Sequence, residues 1–365
     1  MTMYSELKKY GLTEPFEREA AIYEGLFPAR VSQQHRDLYK VIGESGELNA
    51  VVSGKFAYDV HDVHSQLDFP AVGDFVAIDR QASDSGNAVI HHVLPRKSVF
   101  TRKAAGTAND EQVIAANIDT VFICMSLNAD FNLRRAERYL AIAWASRATP
   151  VIVLTKSDLC GDAESRLEEV SSVAPGVDVI VCSSENADGL DSVKPRILPG
   201  ETIAFIGSSG VGKSTLINRL LGEDVLVTKQ IRENDDRGRH TTTHRQLILL
   251  PGGGIVIDTP GMRELSLYTG DLAKTFEDIE ELSRQCKYND CSHTSEPGCA
   301  VRQAIERRAL SEKRFENYLK LRREIAYDGL NSRQLENEKI NHMFGSKAEM
   351  KQVFKQIKRK KQKWN

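Results

Sequence analysis

The sequence has no long apolar run. Its apolar stretches are only a few residues long, too short to span a bilayer. It opens Met1-Thr-Met-Tyr-Ser-Glu, without the basic-then-apolar pattern of a secretory signal. No membrane partner is expected, and the cytoplasm is the expected location. A charge excess is also missing: 49 Lys and Arg face 51 Asp and Glu, a formal net charge of −2. The molecule as a whole is therefore not a generic polyanion binder. Internal repeats are absent. Cysteine is scarce, at six, and its distribution argues against a disulfide framework. Cys124, Cys160 and Cys182 lie in or beside apolar strand-like runs, as core residues do, whereas Cys286, Cys291 and Cys299 crowd one polar stretch. In a cytosolic chain that second group points to metal.

What is present is a chain of 365 residues, 41% hydrophobic and 27% charged, a soluble globular composition with room for two or three domains. The charge is unevenly spread. Lys351, Lys355, Lys358, Arg359, Lys360, Lys361 and Lys363 fill a C-terminal tail that holds no acid, and such a tail attracts phosphates locally.

Four regions are expected. Residues 1–28 form a short helical extension. Residues 29–100 carry β-type runs at Asp37–Val41, Ala50–Val52, Lys55–Val60, Asp74–Ile78 and Ala88–Val93, separated by Gly-, Ser- and Pro-containing turns. Five short strands of this kind suggest a small barrel of the OB type. Residues 101–269 hold six apolar strand candidates: Thr120–Met125, Val151–Leu154, Val177–Val181, Thr202–Ile206, Leu247–Leu250 and Ile255–Ile257. Helical segments such as Leu133–Arg147 alternate with several of them, which implies an α/β unit with a mainly parallel sheet covered on both faces. Residues 270–365 are helical and charged, with helices expected over Ala300–Ala326 and Ser346–Lys361.

The chemistry concentrates in the third region. Gly207-Ser208-Ser209-Gly210-Val211-Gly212-Lys213-Ser214 follows an apolar strand and precedes a helix, the context of a phosphate-binding loop. Its glycines let the backbone wrap around phosphate oxygens, with the amides through Ser214 and Thr215 at the positive end of the following helix. Lys213 would bridge the β- and γ-phosphates, and Ser214 would hold Mg²⁺. Asp258-Thr-Pro-Gly261 ends another apolar strand, where Asp258 can serve Mg²⁺ and Gly261 can turn an amide toward the γ-phosphate. Thr155-Lys156-Ser157-Asp158 follows the run Val151–Leu154. Asp158 can accept from guanine N1–H and the 2-amino group, a pair of donors adenine lacks, and the Lys156 stem would lie across the base. Asn is usual at the position of Thr155, and its absence weakens the case for bracing of the phosphate loop. Cys182-Ser183-Ser184 is placed to offer amides to guanine O6. The guanine-reading segment precedes the phosphate loop instead of following it, so the set reads as a circularly permuted GTPase.

Between Ser214 and Asp258 lies Arg237-Gly-Arg-His240-Thr241-Thr242-Thr243-His244. One of these threonines, with Thr242 or Thr243 preferred, would complete the Mg²⁺ shell and sense the γ-phosphate. Met262 follows Gly261 and no Gln follows in Arg263-Glu264-Leu265, so the usual water-orienting Gln is missing. His240 is the natural substitute, and turnover without a partner should be slow. Separately, Cys286-x₄-Cys291-x-His293-x₅-Cys299 offers three thiolates and one imidazole, a closed tetrahedral set suited to one structural Zn²⁺.

Together these residues resemble the ribosome small subunit-dependent GTPase A family (RsgA, also called YjeQ). The resemblance spans roughly residues 30–330 and rests on the barrel, the permuted order, Thr155–Asp158, Gly207–Ser214, Gly238-Arg-His-Thr-Thr-Thr243, Asp258–Gly261 and the Cys/Cys/His/Cys cluster. It implies an OB-fold domain, a permuted GTPase domain and a C-terminal zinc-binding domain. It also implies a role in late maturation of the small (30S) ribosomal subunit, with rRNA contacts and hydrolysis stimulated by that subunit. It further ties the histidine of Gly-Arg-His-Thr, His240, to catalysis. GTP, GDP and the small subunit are then the expected partners of a monomeric chain. The competing readings are a nucleotide-gated RNA-binding module with incidental hydrolysis, an ATPase, which Asp158 opposes, and a metal-delivery GTPase, which would want a labile site.

Overall fold

The computed structural model describes residues 4–36, 38–63, 66–82, 86–103, 111–128, 130–183, 190–223, 226, 245–258, 270–327, 334, 337, 346–352 and 355. Two short helices, α1 (Ser5–Lys9) and α2 (Glu14–Ala20), open the chain. Leu7, Leu12, Phe16 and Ala20 bury against Phe75 and Leu94 of the segment that follows. The Glu44 carboxylate accepts the amides of Glu6 and Leu7 at 3.0–3.2 Å, satisfying donors that the first helical turn leaves over.

A five-stranded barrel comes next: β1 (Phe27–Gln34), β2 (Tyr39–Gly43), β3 (Gly46–Val52), helix α3 (Gly54–Val63), β4 (Phe75–Ile78) and β5 (Ala88–Val93). The strands close in the order β1-β2-β3-β5-β4-β1, with β3 and β5 the parallel pair. Ala29, Val31, Val41, Leu48, Ala50, Val76, Ile78, Ala88 and Ile90 fill it. This is the expected OB-type barrel with one strand exchanged. Lys55–Val60, read as a strand, lies in α3. The Ser53 carbonyl accepts the Ala57 amide at 2.9 Å, and its hydroxyl accepts the Phe56 amide at 3.1 Å. That cap starts a helix despite the alternating Phe-Ala-Tyr-Asp-Val pattern. The fifth strand is Phe27–Gln34, where Pro28 and the buried Arg30 interrupt the apolar alternation that betrays a strand.

A hairpin that the apolar pattern does not announce, β6 (Val99–Lys103) with β7 (Glu111–Ala116), leads out of the barrel. The α/β unit then runs β8 (Thr120–Ser126), α4 (Leu133–Ser146), β9 (Thr149–Thr155), α5 (Ala163–Val173), β10 (Asp178–Val181), β11 (Thr202–Ile206), α6 (Lys213–Leu221), β12 (Gln246–Leu249) and β13 (Ile255–Asp258). All six expected strands are present. Their order is β10-β9-β8-β11-β13-β12, parallel except for β12. Alternate residues of each strand serve two cores. Ile123, Met125, Ile152, Leu154, Ala204 and Ile206 face α4 and the C-terminal helices. Phe122, Cys124, Val151, Val153 and Phe205 face α6. Burial on both sides explains why these strands read as unbroken apolar runs.

Among the described residues, the C-terminal part consists of α7 (Leu272–Thr275), α8 (Glu277–Arg284), α9 (Ala300–Glu306) and α10 (Glu312–Tyr327). The single helix expected over Ala300–Ala326 is broken. Arg308 takes a left-handed φ of 60°, and the amides of Ala309 and Leu310 both return to the Ala304 carbonyl, which ends the first helix. Residues 347–352 are helical, the start of the segment expected over Ser346–Lys361.

Two buried polar clusters join these parts. The Arg30 guanidinium, 1% exposed, donates to the carbonyls of Tyr10, Gly73 and Asn117 and to Thr202 Oγ1. One side chain thus ties the N-terminal helices and the barrel to the first residue of β11. Burial pushes its guanidinium down to about 10, opposed by Asp119 and Asp74, so it stays charged near neutrality. On the other side, fully buried Glu137 of α4 accepts from Arg134, Arg314 and Asn317, and Arg314 also pairs with Asp278. A carboxylate this deep is tolerated because every partner is supplied. The barrel and the α/β sheet also share one antiparallel contact, Gln33 of β1 opposite Gln246 of β12. No described helix is long and apolar enough to cross a membrane.

Candidate functional site

The described ones among the expected nucleotide residues gather at the carboxyl ends of the parallel strands, where open α/β sheets bind ligands. β11 ends at Ile206, the chain turns through 207–212, and Lys213 opens α6. Gly207 has φ 143°, and a Cβ there would lie 2.3 Å from the Cys124 carbonyl oxygen; only glycine fits. Gly210 and Gly212 also have positive φ. Lys213 Nζ donates to the Gly207 and Ser208 carbonyls, each at 2.6 Å. Ser209 is exposed, and Ser214 and Thr215 are half-buried in the first turn of α6.

The segment after β9 meets this loop directly. Thr155 is buried, and its Oγ1 donates to the Val211 carbonyl at 2.6 Å. The hydroxyl therefore braces the loop in the way the absence of Asn had put in doubt. Lys156 adopts a left-handed φ of 59°, and its Nζ donates to the Gly210 carbonyl at 2.7 Å. A non-glycine residue there costs of order 1 kcal/mol; in exchange its side chain lies over the phosphate loop. Asp158 sits on the 3₁₀ turn Ser157–Leu159. The Ser157 amide donates to the Cys182 carbonyl at 3.3 Å, and Ser183 Oγ donates to Asp158 Oδ1. Ser183 is thus brought to the carboxylate. Ser184 lies outside the described residues.

Asp258 closes β13. Burial raises its carboxyl above the ordinary value, and the Lys213 ammonium opposes that rise, so the two groups share one neighbourhood. Gly261, Met262, His240, Thr241, Thr242 and Thr243 lie outside the described residues.

Sequence reasoning passed over the loop after β8. Ser126 Oγ donates to Asn128 Oδ1 at 2.8 Å, and Asn132 caps α4. Arg135 Nη1 donates to both carboxylate oxygens of Asp130 at 2.8 Å and to Ser208 Oγ of the phosphate loop. The signal was present as two arginines in the first turn of a helix, where the helix dipole disfavours cations.

Cys286, Cys291, His293 and Cys299 converge as one cluster, their four ligand atoms all within 4.8 Å of one another. Cys286 Sγ lies 3.9 Å from Cys299 Sγ, and both sulfurs lie 3.5 Å from His293 Nδ1. The other ring nitrogen, Nε2, is 3.2 Å from Ser283 Oγ. That hydroxyl already donates to the Ile279 carbonyl at 2.8 Å, so it accepts from Nε2–H. The tautomer is thereby fixed with the Nδ1 lone pair facing the thiols, as a metal ligand requires. Burial raises the Cys286 thiol, but hydrogen bonds with the Val301 and Ala300 amides and with Cys299 and Cys291 together hold it below its ordinary value. Among the described residues the set offers four donors, the number a tetrahedral metal site takes.

The profile described as RsgA GTPase matches residues 93–268, and one described as ABC transporter matches residues 190–363. Both ranges contain the phosphate loop, and relatives that match nearly the whole chain favour the first. The small ribosomal subunit biogenesis GTPase RsgA 2 of Lactiplantibacillus plantarum is 55% identical over 351 residues, covering 96% of this chain and 98% of that protein. The crystal structure of YjeQ from Thermotoga maritima superposes with a TM-score of 0.60 at 26% identity, over 84% of this chain and 100% of that one. YloQ, described as a circularly permuted GTPase, gives 0.59 at 26% identity, over 84% and 98%.

Proposed function

The chain belongs to the RsgA GTPase family, and from that premise we propose that it hydrolyses GTP to GDP as a checkpoint in late maturation of the small (30S) ribosomal subunit. The observation that carries the reading is the double tie of Thr155 and Lys156 to the phosphate loop. It supports a single site that combines a guanine-reading carboxylate with a phosphate cradle, although they occur in reversed order along the chain.

The roles follow from position. Asp158, oriented by Ser183, accepts from guanine N1–H and the 2-amino group, and Ser184 supplies an amide toward O6. The Lys156 stem covers the base. Amides of Gly207 to Thr215 cradle the phosphates, and Lys213 exchanges its two carbonyl partners for β- and γ-phosphate oxygens. Ser214 and Asp258 hold Mg²⁺, with a threonine of the switch, Thr242 in our assignment, completing its shell. Bound with GTP, the ion neutralises charge on the β- and γ-phosphates. His240 orients the attacking water in place of the missing Gln, and Gly261 directs an amide to the γ-phosphate.

The metal of the Cys/His cluster is zinc in this reading. Bonds of roughly 2.3 Å to sulfur and 2.0–2.1 Å to nitrogen give tetrahedral edges of about 3.8 Å between sulfurs and about 3.6 Å from sulfur to nitrogen. Among Cys286, Cys299 and His293 the spacings are 3.9 Å and 3.5 Å, and all four ligand atoms lie within 4.8 Å of one another. The ion would tie α8 to α9 and fix the C-terminal unit.

We divide the chain into an extension (1–28), the OB-type barrel (29–100), the permuted GTPase unit (101–269) and the zinc-bearing unit with its basic tail (270–365). It works as a cytoplasmic monomer whose barrel and zinc unit contact rRNA. The barrel touches β12 just after the switch threonines, and the zinc unit follows the second switch. Nucleotide state then sets how the two RNA-facing units are presented. Sedimentation with isolated small subunits tests this: affinity in a non-hydrolysable GTP analogue should differ clearly from that in GDP, and equal affinities would refute it.

A further inference from the structure

Arg134 and Arg135 occupy the first turn of α4, where no acidic residue accompanies them. The amino end of a helix repels cations, so each needs a partner elsewhere. Arg134 finds Glu137 at 2.7 Å. Arg135 turns the other way, to Asp130 and to Ser208, the second residue of the phosphate loop. The carbonyl of that same Ser208 accepts the Lys213 ammonium. Two cations from different elements therefore converge on one loop residue. A brace for a serine hydroxyl needs no charge; a polyanion site does. The planar guanidinium fork also matches phosphate better than any neutral donor.

We propose that Arg135 is a further catalytic residue of this site, donating to the γ-phosphate as GTP is hydrolysed. The proposal rests on the GTPase reading above. In that reaction the water oxygen bonds to the γ-phosphorus while the bond from phosphorus to the β–γ bridging oxygen breaks. The electron pair stays on that oxygen, and the water proton passes to the released phosphate. Charge builds toward the β–γ bridge, where a guanidinium stabilises the transition state more than the bound substrate. In this chain Met262 stands where a glutamine would assist, so an intramolecular arginine supplies part of what is missing. Asp130 holds the guanidinium until phosphate oxygens compete for it. The helix that carries Arg135 is fixed from behind: Glu137 is bound by Arg314 and Asn317, and Arg138 pairs with Glu324 at 2.6 Å. Rigid support of this kind is what a catalytic side chain needs.

The test uses the full chain and the variants Arg135→Ala, Arg135→Gln and Arg135→Lys. Single-turnover GTP hydrolysis, GDP affinity and affinity for GDP with aluminium fluoride, a mimic of the transferring phosphoryl group, are measured for each. The Ala and Gln variants should hydrolyse about 10²-fold more slowly and lose aluminium fluoride affinity to a similar degree. Their GDP affinity should stay unchanged, and Lys should recover part of the rate. Wild-type rates in the Ala and Gln variants would overturn the proposal. So would an equal loss of GDP binding, which marks a mere brace of the loop. Failure of the wild-type chain to bind guanine nucleotides or turn over GTP would instead overturn the underlying GTPase reading.

Discussion

Replacing Asp158 with Asn exchanges one carboxylate oxygen for an NH₂ group at nearly constant size. Ser183 Oγ donates to Oδ1, and the side chain stands on the 3₁₀ turn Ser157–Leu159, just after Thr155 and Lys156, which hold the phosphate loop. In the proposed site the carboxylate receives two donors from guanine, N1–H and the 2-amino group. Asn keeps one acceptor without its charge and turns a donor toward the 2-amino donor. Hydrogen bonds to a charged partner are worth about 1.5–3 kcal/mol each, so weakening both costs roughly 3–5 kcal/mol, about 10²–10⁴-fold in GTP affinity. Xanthine carries a carbonyl where guanine has the amino group. The Asn NH₂ can donate to that carbonyl while Oδ1 still accepts N1–H, so affinity for xanthosine triphosphate should rise as affinity for GTP falls. Competition of GTP, xanthosine triphosphate and ATP against a fluorescent GDP reads both changes in one assay. Unchanged GTP affinity in a folded Asp158→Asn chain would refute the assignment, and so would a loss with no gain for the xanthine nucleotide.

Other expectations follow from the same geometry. His240→Ala should slow turnover by about 10²-fold with GTP affinity nearly unchanged; equal losses in rate and affinity would refute its water-orienting role. Burial holds Asp258 above the ordinary carboxyl range despite Lys213. Protonation therefore competes with Mg²⁺ earlier than usual on acidification, and Mg²⁺ affinity should begin to fall at a higher pH than an ordinary carboxylate ligand would give. A flat profile, measured by Mg²⁺ titration with GTP bound, would contradict this. Arg30→Met strips donors from the Tyr10 and Asn117 carbonyls and from Thr202, while Gly73 keeps Asn117 Nδ2 at 3.1 Å. A loss of roughly 2–4 kcal/mol in urea unfolding is expected, and a loss within the error of the method would show that those groups find other partners. Metal analysis should give one zinc per chain, and Cys299→Ser should lose it and lower the melting temperature of the α8–α10 region. Full zinc occupancy in Cys299→Ser would remove that cysteine from the ligand set.

Much of this site was legible in the sequence because its parts are local. A glycine-rich loop between an apolar strand and a helix, a carboxylate after a strand and four soft donors in a short stretch each carry their chemistry in spacing. The sheet strands were legible because both faces are buried, so that Val151–Leu154 and Thr202–Ile206 are continuous runs. Features that depend on distant partners were not. Phe27–Gln34 did not read as a strand because Arg30 is buried among groups from four segments. Lys55–Val60 alternated like a strand, yet the cap at Ser53 set its conformation. Thr155 looked like a weakened motif until its hydroxyl met Val211. Arg135 lies far from Ser208 along the chain, and only the fold brings them together.

The decisive measurement is GTP turnover by the purified chain, with and without isolated small ribosomal subunits, with large subunits and ATP as controls. The chain alone should turn over slowly, with a strong rise on adding small subunits only and no comparable hydrolysis of ATP. Turnover that small subunits leave unchanged, or that large subunits raise equally, would contradict it.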